Sequence, residues 1–338
     1  MRGVPEALTL PGFVDAHSHT FQRALHGSQE GADFWSWRDA MLALAEHQTP
    51  ETIRTEYEQT YRELRAGGYT AVGEFHYLGL GEARAAAEAA AEAGIALVLL
   101  LTAYARGGLE RFRQASVADY LGQVEQLQVD GLRVGLAPHS VRACPRDWLK
   151  EIGRYAEEHG LVLHVHADEQ PREIEESLAE HRRRPIEVLA DTGCLGPLTT
   201  IVHATHANDR ELDLVAGAKA RICVCPTTEA NLGDGYVPVS RIRERGINLC
   251  IGSDSNARID PLEELRELEG IARREAGRRN VIDPSSLLQI GAGEGAAALG
   301  LEAWDEVEVD LSHASLRGVE DRDVPAALVM GCGADVFR

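Results

Sequence analysis

The sequence predicts an α/β fold of the (β/α)₈ TIM-type barrel kind, and three observations lead to this prediction. The chain has 338 residues, a length that suits either one such barrel or two ordinary domains. Short β-rich runs alternate with longer helical patterns, which implies parallel strands joined by helices. Eight of these runs occur, and eight βα units are the number that closes a barrel.

Each strand candidate is a short apolar run bounded by glycine, proline or polar residues. In chain order the eight runs are residues 13–19, 69–77, 95–104, 132–140, 161–167, 199–206, 221–226 and 247–254. Helical stretches between them include GEARAAAEAAAEAG, SVADYLGQVEQLQ and CPRDWLKEIGRYAEEHG. Further helices are expected at 260–275 and 284–299. We therefore expect the barrel to occupy residues 1–300 and a C-terminal tail to occupy 301–338.

Residues capable of chemistry stand at the ends of these strands, whereas the strand starts are apolar. They are His17, His19, Glu74, His76, Tyr104, His139, His166, His203, His206 and Asp254. In a barrel the carboxyl ends of all strands meet at one face, where active sites are built. The alternative is that polar residues merely mark the change from strand to loop, but that explains so many histidines poorly.

The composition limits the kinds of binding partner and the cellular compartment that can be expected for this protein. A net charge of −20 argues against nonspecific nucleic-acid binding, but a small anionic substrate is compatible with a few pocket arginines. No apolar run is long enough for a membrane span, and the first residues lack the zones of a signal peptide, so a cytoplasmic protein is expected. The six cysteines are scattered through a long chain, which favours reduced thiols over disulfides.

A metal site is the main functional hypothesis. His17 and His19 are two apart on one strand, so their side chains share a face and can hold one ion. An HxH pair alone is weak evidence, because most such histidines are simply buried or exposed. His166 at the fifth strand end and Asp254 at the eighth complete a set suited to one Zn²⁺ or another divalent transition ion. A carboxylated lysine often bridges the two ions of related two-metal sites, but Lys150 and Lys219 both lie in helical patterns and not at strand ends. The sequence therefore favours one ion.

Three residues are candidates for the chemistry itself. Glu169, three residues after His166, can carry a proton from a metal-activated water to a leaving nitrogen. The alternative for Glu169 is an ordinary glutamate in the first turn of a helix. His203 is placed to contact the nucleophile or the developing oxyanion, and Asp254 can also orient or deprotonate the water. We interpret His164 and the Cys223–Cys225 pair as core residues, and His206 is left without an assigned role.

These residues resemble the amidohydrolase superfamily, in particular its mononuclear zinc deaminases. The shared pattern is HxH after the first strand, HxxE after the fifth, a histidine ending the sixth and an aspartate ending the eighth. Between about residue 10 and about residue 300 the chain is also similar to the formimidoylglutamate deiminases. The stretches that carry this similarity are PGFVDAHSHTFQRALHG, DFWSWRDAM, GYTAVGEFHYL, LAPHSVRACP, HVHADEQPREIEE, VHATHA, TTEANLGDG and GSDSN.

The resemblance implies a barrel of the metal-dependent hydrolase kind, with zinc on the four predicted ligands and Glu169 as the proton shuttle. It also implies substrate contacts from Gln22, Arg38, Tyr77, His139 and Arg142. Two arginines suit a substrate with carboxylates, although any one arginine is more often part of a surface salt bridge. The implied reaction is the hydrolysis of N-formimino-L-glutamate to N-formyl-L-glutamate and ammonia, a step of histidine degradation.

Two other functions stay open. A related deaminase could act on an amino heterocycle such as guanine, but such a pocket needs aromatic and amide contacts more than two arginines. A truncated, noncatalytic metal-binding barrel is the alternative of a different class. This alternative is favoured because few residues lie outside the predicted barrel. The superfamily usually carries a small β-sandwich, which is here expected to be reduced or absent. This difference leaves the assembly state open, with a homodimer as one possible form.

Overall fold

The computed structural model describes residues 7–28, 30–31 and 33–338, and parallel strands alternating with helices make up most of them. The strands of this part of the chain are β1 (Ala7–Pro11), β2 (Phe13–Ser18), β3 (Tyr69–His76), β4 (Ala96–Ala103), β5 (Val134–Pro138), β6 (Leu163–Ala167), β7 (Thr199–His203), β8 (Arg221–Val224), β9 (Leu249–Ile251) and β10 (Glu306–Asp310).

The helices alternate with the strands over most of the chain. They are α1 (Phe34–Glu46), α2 (Pro50–Ala66), α3 (Leu80–Ala93), α4 (Val117–Val129), α5 (Arg146–His159), α6 (Pro171–His181), α7 (Pro185–Asp191), α8 (Asp209–Ala218), α9 (Pro226–Leu232), α10 (Val239–Glu244), α11 (Pro261–Ala276), α12 (Pro284–Gln289), α13 (Gly295–Ala298) and α14 (Val324–Gly331).

Strands β2 to β9 form one parallel sheet in sequential order, and the sheet closes on itself. The N–H of Asp254 donates to the carbonyl of His17 at 2.9 Å, and the N–H of His19 donates to the carbonyl of Asp254 at 2.7 Å. These bonds join the end of β2 to the segment after β9. The predicted (β/α)₈ barrel is therefore confirmed. Each of the eight predicted strands is present but shorter than predicted, most of all β9, which is Leu249–Ile251.

The strands form where they do because they are buried on both faces, so they read as nearly continuous apolar runs. The run ALVLLLTA of β4 is an example, and its last six residues are buried. Glycines end the helices that precede several strands: Gly94 after α3 and Gly160 after α5 have φ of 69° and 62°. A glycine adopts this left-handed conformation without steric cost, which lets the chain turn back into the sheet.

The helix predicted at 284–299 is present over residues 284–298, with a π-helical turn within it. Between α12 and α13 the segment Ile290–Glu294 forms a π-helical turn. A Cβ atom at Gly291 would lie 2.8 Å from the ring of Phe13, and one at Gly295 would lie 2.9 Å from Cβ of Val14. The helix packs this closely on β2 because glycine has no side chain at the two points of contact. A sequence pattern of helical period does not reveal that contact.

The described residues that flank the barrel form a second, small sheet. Strands β1 and β10 form a two-stranded antiparallel sheet, in which Ala7 pairs with Asp310 and Pro11 pairs with Glu306. The indole N–H of Trp304 donates to the carbonyl of Gly12 at 2.9 Å, which fixes this small sheet to the start of β2. In the described part of the chain, none of the helices is long and apolar enough to cross a membrane.

Gly252 supplies a test of how tightly the barrel closes beside the predicted metal ligands. A Cβ atom at this position would lie 2.7 Å from the carbonyl oxygen and 2.8 Å from Cβ of His17. We expect Gly252→Ala to lower the free energy of unfolding by about 1–3 kcal/mol, as overpacking usually does. We also expect weaker metal binding because His17 must move. Denaturant unfolding and metal analysis would measure both effects.

Gly217 provides the matched control for this substitution. It lies in the last turn of α8, and nothing lies within 4 Å of the position that its Cβ would take. Gly217→Ala is expected to be neutral or to stabilise by up to about 1 kcal/mol, because alanine favours the helix. Equal stability of the two variants would contradict the tight closure at Gly252.

Candidate metal centre and active site

Four side chains converge at the carboxyl end of the barrel, and they are the four that the sequence predicts as metal ligands. His17 lies near the end of β2 and His19 directly follows that strand, while His166 belongs to β6 and Asp254 follows β9. One ligand atom from each lies within 4.8 Å of the others, and all four residues are buried. Nε2 of His17 and Nε2 of His166 are 3.1 Å apart.

This arrangement fits a divalent ion. Nδ1 of His19 donates to the carbonyl of Phe75 at 3.2 Å, and Nδ1 of His166 donates to the carbonyl of His139 at 3.0 Å. With its proton on Nδ1, a neutral imidazole presents a lone pair at Nε2. The two lone pairs of His19 and His166 therefore face each other at 3.4 Å, a repulsive contact that a cation between them would relieve.

The spacing and the charges of the ligands agree with this interpretation. Ligand atoms around a tetrahedral zinc lie about 3.3 Å apart, and Oδ1 of Asp254 lies 3.5 Å from His17 and 3.4 Å from His19. Burial lowers the pKa of the three imidazoles, to about 3 for His17. Burial acts to raise the pKa of Asp254, but the neighbouring His17, His19 and His203 together hold that pKa below its ordinary value. Neutral imidazoles and an ionised carboxylate are the forms that bind a metal.

Glu169 lies beside these four groups on the wall of the pocket. Its Oε1 is 3.8 Å from Nε2 of His203, and the residue as a whole is only 9% exposed. Its N–H donates to the carboxylate of Glu173 at 3.1 Å, which fixes the chain just after β6. Burial raises the pKa of Glu169, against the lowering effects of His203 and Arg142. A carboxyl group in this setting can both accept and release a proton.

His203 ends β7 in a left-handed backbone conformation, with φ of 74°. Such a conformation is strained for a residue other than glycine, and strain of this kind clusters at active sites. Nε2 of His203 lies 4.0 Å from Oδ2 of Asp254, so the ring faces the predicted metal ligands. Burial lowers the pKa of His203, but the carboxylates of Glu169, Glu229 and Asp254 outweigh it and raise that pKa to about 10.

One pocket joins this cluster to the five residues that the resemblance implies as substrate contacts. Those five lining residues are Gln22, Arg38, Tyr77, His139 and Arg142. The amide of Gln22 donates to the hydroxyl of Tyr77 at 3.1 Å. The other amide atom, Oε1 of Gln22, is buried and accepts no hydrogen bond within the described residues, so it is available to a ligand.

The two pocket arginines differ from most others in this chain. Arg106, near the pocket, pairs with Glu180 at 2.8 Å, whereas Arg38 and Arg142 form no salt bridge among the residues that the structure describes. Nε of Arg142 is buried without a hydrogen-bond partner there. Burial lowers the pKa of Arg142, but Glu173 and other neighbouring groups outweigh it and keep the guanidinium charged. Both groups are thus free to bind an anionic ligand.

Comparison with known proteins identifies the family. The model of the Amidohydrolase family matches residues 8–307.

The chain belongs to this amidohydrolase family. It is 36% identical to the formimidoylglutamate deiminase of Pseudomonas aeruginosa, a match that covers 80% of the chain and 66% of that protein. The chain thus spans slightly less than two thirds of this relative's length. It is also 28% identical to the 5-methylthioadenosine/S-adenosylhomocysteine deaminase of Haloarcula marismortui, over 95% of the chain and 74% of that protein.

Solved structures of similar proteins have the same fold. An adenosine deaminase from Xanthomonas campestris, whose structure contains bound zinc, superposes with a TM-score of 0.90 at 22% identity. That match covers 98% of this chain and 78% of the other. An amidohydrolase from Brucella melitensis superposes with a TM-score of 0.85 at 29% identity, over 97% of this chain and 84% of the other.

The remaining histidines and lysines of this amidohydrolase lie outside the cluster. His164, two residues before His166, donates from Nε2 to the carbonyl of Ala298 at 2.9 Å and is a core residue, as the sequence interpretation holds. His206 donates from Nε2 to the carbonyl of Asp234 at 2.8 Å, which gives it a structural contact. Lys150 lies within α5 and Lys219 caps α8, so neither stands at a strand end.

The cysteine pair also lies in the core. Cys223 and Cys225 are fully buried with Cys250 in a small apolar cluster beneath the site. All six cysteines of the amidohydrolase are buried free thiols, in line with the predicted reduced state. Cys225 does lie near His203 and Glu229, in a second group of residues whose ligand atoms are within 4.8 Å of one another.

Sequence reasoning missed part of the pocket of this amidohydrolase. Helix α1 contributes an apolar wall, formed by Phe34, Trp37, Met41 and Leu42. The spacing of these residues is helical, but nothing in the pattern tells a helix that covers a pocket from one that packs on the core. Glu229, a buried carboxylate in the stretch TTEANLGDG, contacts His203 and was also not predicted from the sequence.

Proposed function

We propose that this amidohydrolase is a metal-dependent deiminase that hydrolyses N-formimino-L-glutamate to N-formyl-L-glutamate and ammonia. The observation that supports it most strongly is that Arg38 and Arg142, which form no salt bridge among the described residues, line the same pocket as the metal cluster. The substrate carries its formimino group on the α-nitrogen, one carboxylate on the adjacent α-carbon and the second carboxylate at the end of the side chain. A pocket lined by two guanidinium groups and by the carboxyl groups of Glu169 and Asp254 offers partners of both charges to such a substrate.

His17, His19, His166 and Asp254 are the residues that would hold a single Zn²⁺ or another divalent transition ion. Such an ion supplies a Lewis acid and lowers the pKa of water toward neutrality. Glu169 takes a proton from the attacking water as its oxygen adds to the formimino carbon. Glu169 then passes that proton to the formimino nitrogen. The second proton of the added water moves from its oxygen to the same nitrogen as the carbon–nitrogen bond breaks, so ammonia leaves and the formyl carbonyl forms.

The other pocket residues bind and orient the substrate in this proposal. His203 contacts the oxygen that becomes negative during the addition, and Asp254 orients the attacking water. Arg38 and Arg142 bind the carboxylates in paired hydrogen bonds. The remaining polar groups belong to Gln22, Tyr77 and His139. They fix the orientation of the substrate's carbon chain.

The direct test is ammonia release from N-formimino-L-glutamate by the zinc-loaded protein. The same assay should include formamidine, which has the reacting group without carboxylates, together with guanine and 5-methylthioadenosine. The proposal predicts the highest kcat/KM for N-formimino-L-glutamate. Preference for a purine would instead support the heterocycle deaminase, and metal binding without ammonia release from any compound would support the noncatalytic barrel.

The heterocycle deaminase remains the second candidate because the pocket has aromatic walls. Phe34, Trp37 and Tyr104 line it together with the polar groups. The relative from Haloarcula marismortui is named as a deaminase of adenosine derivatives. Aromatic rings of this kind could stack on a purine, but a purine base leaves the two arginines without carboxylate partners.

Arg142→Met is expected to raise KM for N-formimino-L-glutamate by roughly 10- to 100-fold, since a charge-assisted hydrogen bond contributes about 1.5–3 kcal/mol. The methionine side chain keeps much of the volume and removes the charge. Arg146→Met is the control, because Arg146 forms an exposed salt bridge with Asp191 at 3.2 Å. Similar KM values for the two variants would remove Arg142 from the substrate site.

A further inference from the structure

Helix α9 brings a buried carboxylate against the ring of His203. Oε1 of Glu229 accepts a hydrogen bond from Nδ1 of His203 at 3.2 Å, and both residues are only 1% exposed. The same oxygen accepts the N–H of Cys225 at 3.0 Å. Oε2 of Glu229 has no hydrogen-bond partner within the described residues, although it is buried. This carboxylate is therefore held beside the ring by two hydrogen bonds to one of its oxygens.

The contact determines which nitrogen of His203 faces the pocket. A carboxylate can only accept a hydrogen bond, so the proton of the Glu229 contact stays on Nδ1. Nε2 then points toward Glu169, at 3.8 Å, and toward Asp254, at 4.0 Å. A turn of the ring by 180° would place a carbon atom against Glu229 and another toward the reacting groups. The carboxylate thus selects one orientation of the ring.

We infer that Glu229 is a positioning residue, which holds the His203 ring with a proton on Nδ1 and with Nε2 toward the substrate. This inference deepens the proposed function and rests on it for its kinetic part. It gives a role to the glutamate of the stretch TTEANLGDG. Glu229 itself touches His203 and the start of α9, and it does not line the pocket.

A simpler role is that Glu229 only stabilises the first turn of α9 by accepting the Cys225 N–H. The two roles predict different results. Loss of a cap lowers stability and leaves the ring of His203 unchanged. Loss of the positioning contact changes the ring and lowers kcat more than it changes KM, because His203 contacts the reacting oxygen rather than the parts of the substrate that determine binding.

The experiment uses zinc-loaded protein labelled with ¹⁵N-histidine, and the ring nitrogens of His203 are assigned with a His203→Asn variant. Wild-type protein should show a proton on Nδ1 of His203. Glu229→Met, which fills the space without an acceptor, should lose this signature and lower kcat about 100-fold while KM changes less than about threefold. Glu229→Gln, whose amide oxygen still accepts, should restore the signature and most of kcat.

Glu264→Gln is the matched control. Glu264 is another buried carboxylate that holds the start of α9, through the N–H of Thr227 at 3.0 Å and its hydroxyl, and it does not contact His203. This variant should keep the His203 signature and kcat, even if its melting temperature falls. An equal fall in kcat for Glu264→Gln, or an unchanged ring signature in Glu229→Met, would overturn the inference.

The nitrogen measurement also keeps the inference separate from the substrate proposal. If wild-type protein releases no ammonia from N-formimino-L-glutamate, the proposed substrate is wrong. The ring signature would still be measurable in the same samples. A wild-type His203 without a proton on Nδ1 would overturn the positioning role even if Glu229→Met failed to fold.

Discussion

Glu169→Gln is expected to lower kcat by roughly 10²–10⁴-fold, the range in which a general acid–base group contributes. Glutamine has nearly the same shape but can neither accept the proton of the attacking water nor deliver it to the leaving nitrogen. Metal content should be unchanged, since Glu169 is not one of the four clustered ligands. Steady-state ammonia release and metal analysis of the same preparation would measure both.

Glu187→Gln is the control for this substitution. Glu187 is also 9% exposed, and its carboxylate accepts the N–H of Arg184 at 3.0 Å at the start of α7, outside the pocket. We expect its kcat to stay within about twofold of the wild type, as for a change that touches no reacting group. A Glu169→Gln variant with an unimpaired rate would remove Glu169 from the mechanism.

His166→Gln is expected to abolish tight metal binding and, as a result, to lower the activity by at least about 10³-fold. The substitution removes one imidazole of four ligands and leaves an incomplete set, which weakens the site far more than a change to a supporting residue. Removing the metal from the wild-type protein with a chelator should have the same effect. Added Zn²⁺ should then restore the activity of the wild-type protein but not that of the variant. Elemental analysis after dialysis would give the metal content of each sample.

His164→Gln is the matched control because His164 lies on the same strand and is also buried, but it contacts the carbonyl of Ala298. This variant is expected to keep its metal, even if it is less stable. Equal metal content in the His164 and His166 variants would contradict the proposed ligand set. Two tightly bound ions per wild-type chain would contradict the single-ion site, which rests on the absence of a lysine at the described strand ends.

The sequence was sufficient for the barrel and for the metal cluster because both follow from local patterns. A buried parallel strand must be apolar along its whole length, and this makes each of the eight runs visible. His17 and His19 share a face by the alternation of side chains along one strand. Once eight strands are expected to close, their carboxyl ends must meet, which brings His166 and Asp254 to the same place.

Other features were not predictable because they depend on contacts between distant segments. The helix expected at 284–299 is present, but its π-helical turn and the close approach of Gly291 and Gly295 to β2 are not visible in the sequence pattern. Helix α1 shows an amphipathic pattern that is equally consistent with core packing. Its position over the pocket depends on the path of the chain after His26, which no periodicity describes.

The amino-acid sequence by itself determined the strand order, the convergence of the four ligands and the presence of a carboxylate next to them. Only the tertiary structure decided which groups are paired and which are free. Arg38 and Arg142 are indistinguishable from surface arginines in the sequence, and they become candidates for binding carboxylates because they line the pocket and form no salt bridge within the described fold. Glu229 likewise acquires its contact with His203 only because the fold brings α9 against the end of β7. Hydrogen bonds and charge pairs depend on distances of a few ångströms, and packing of the whole chain sets those distances.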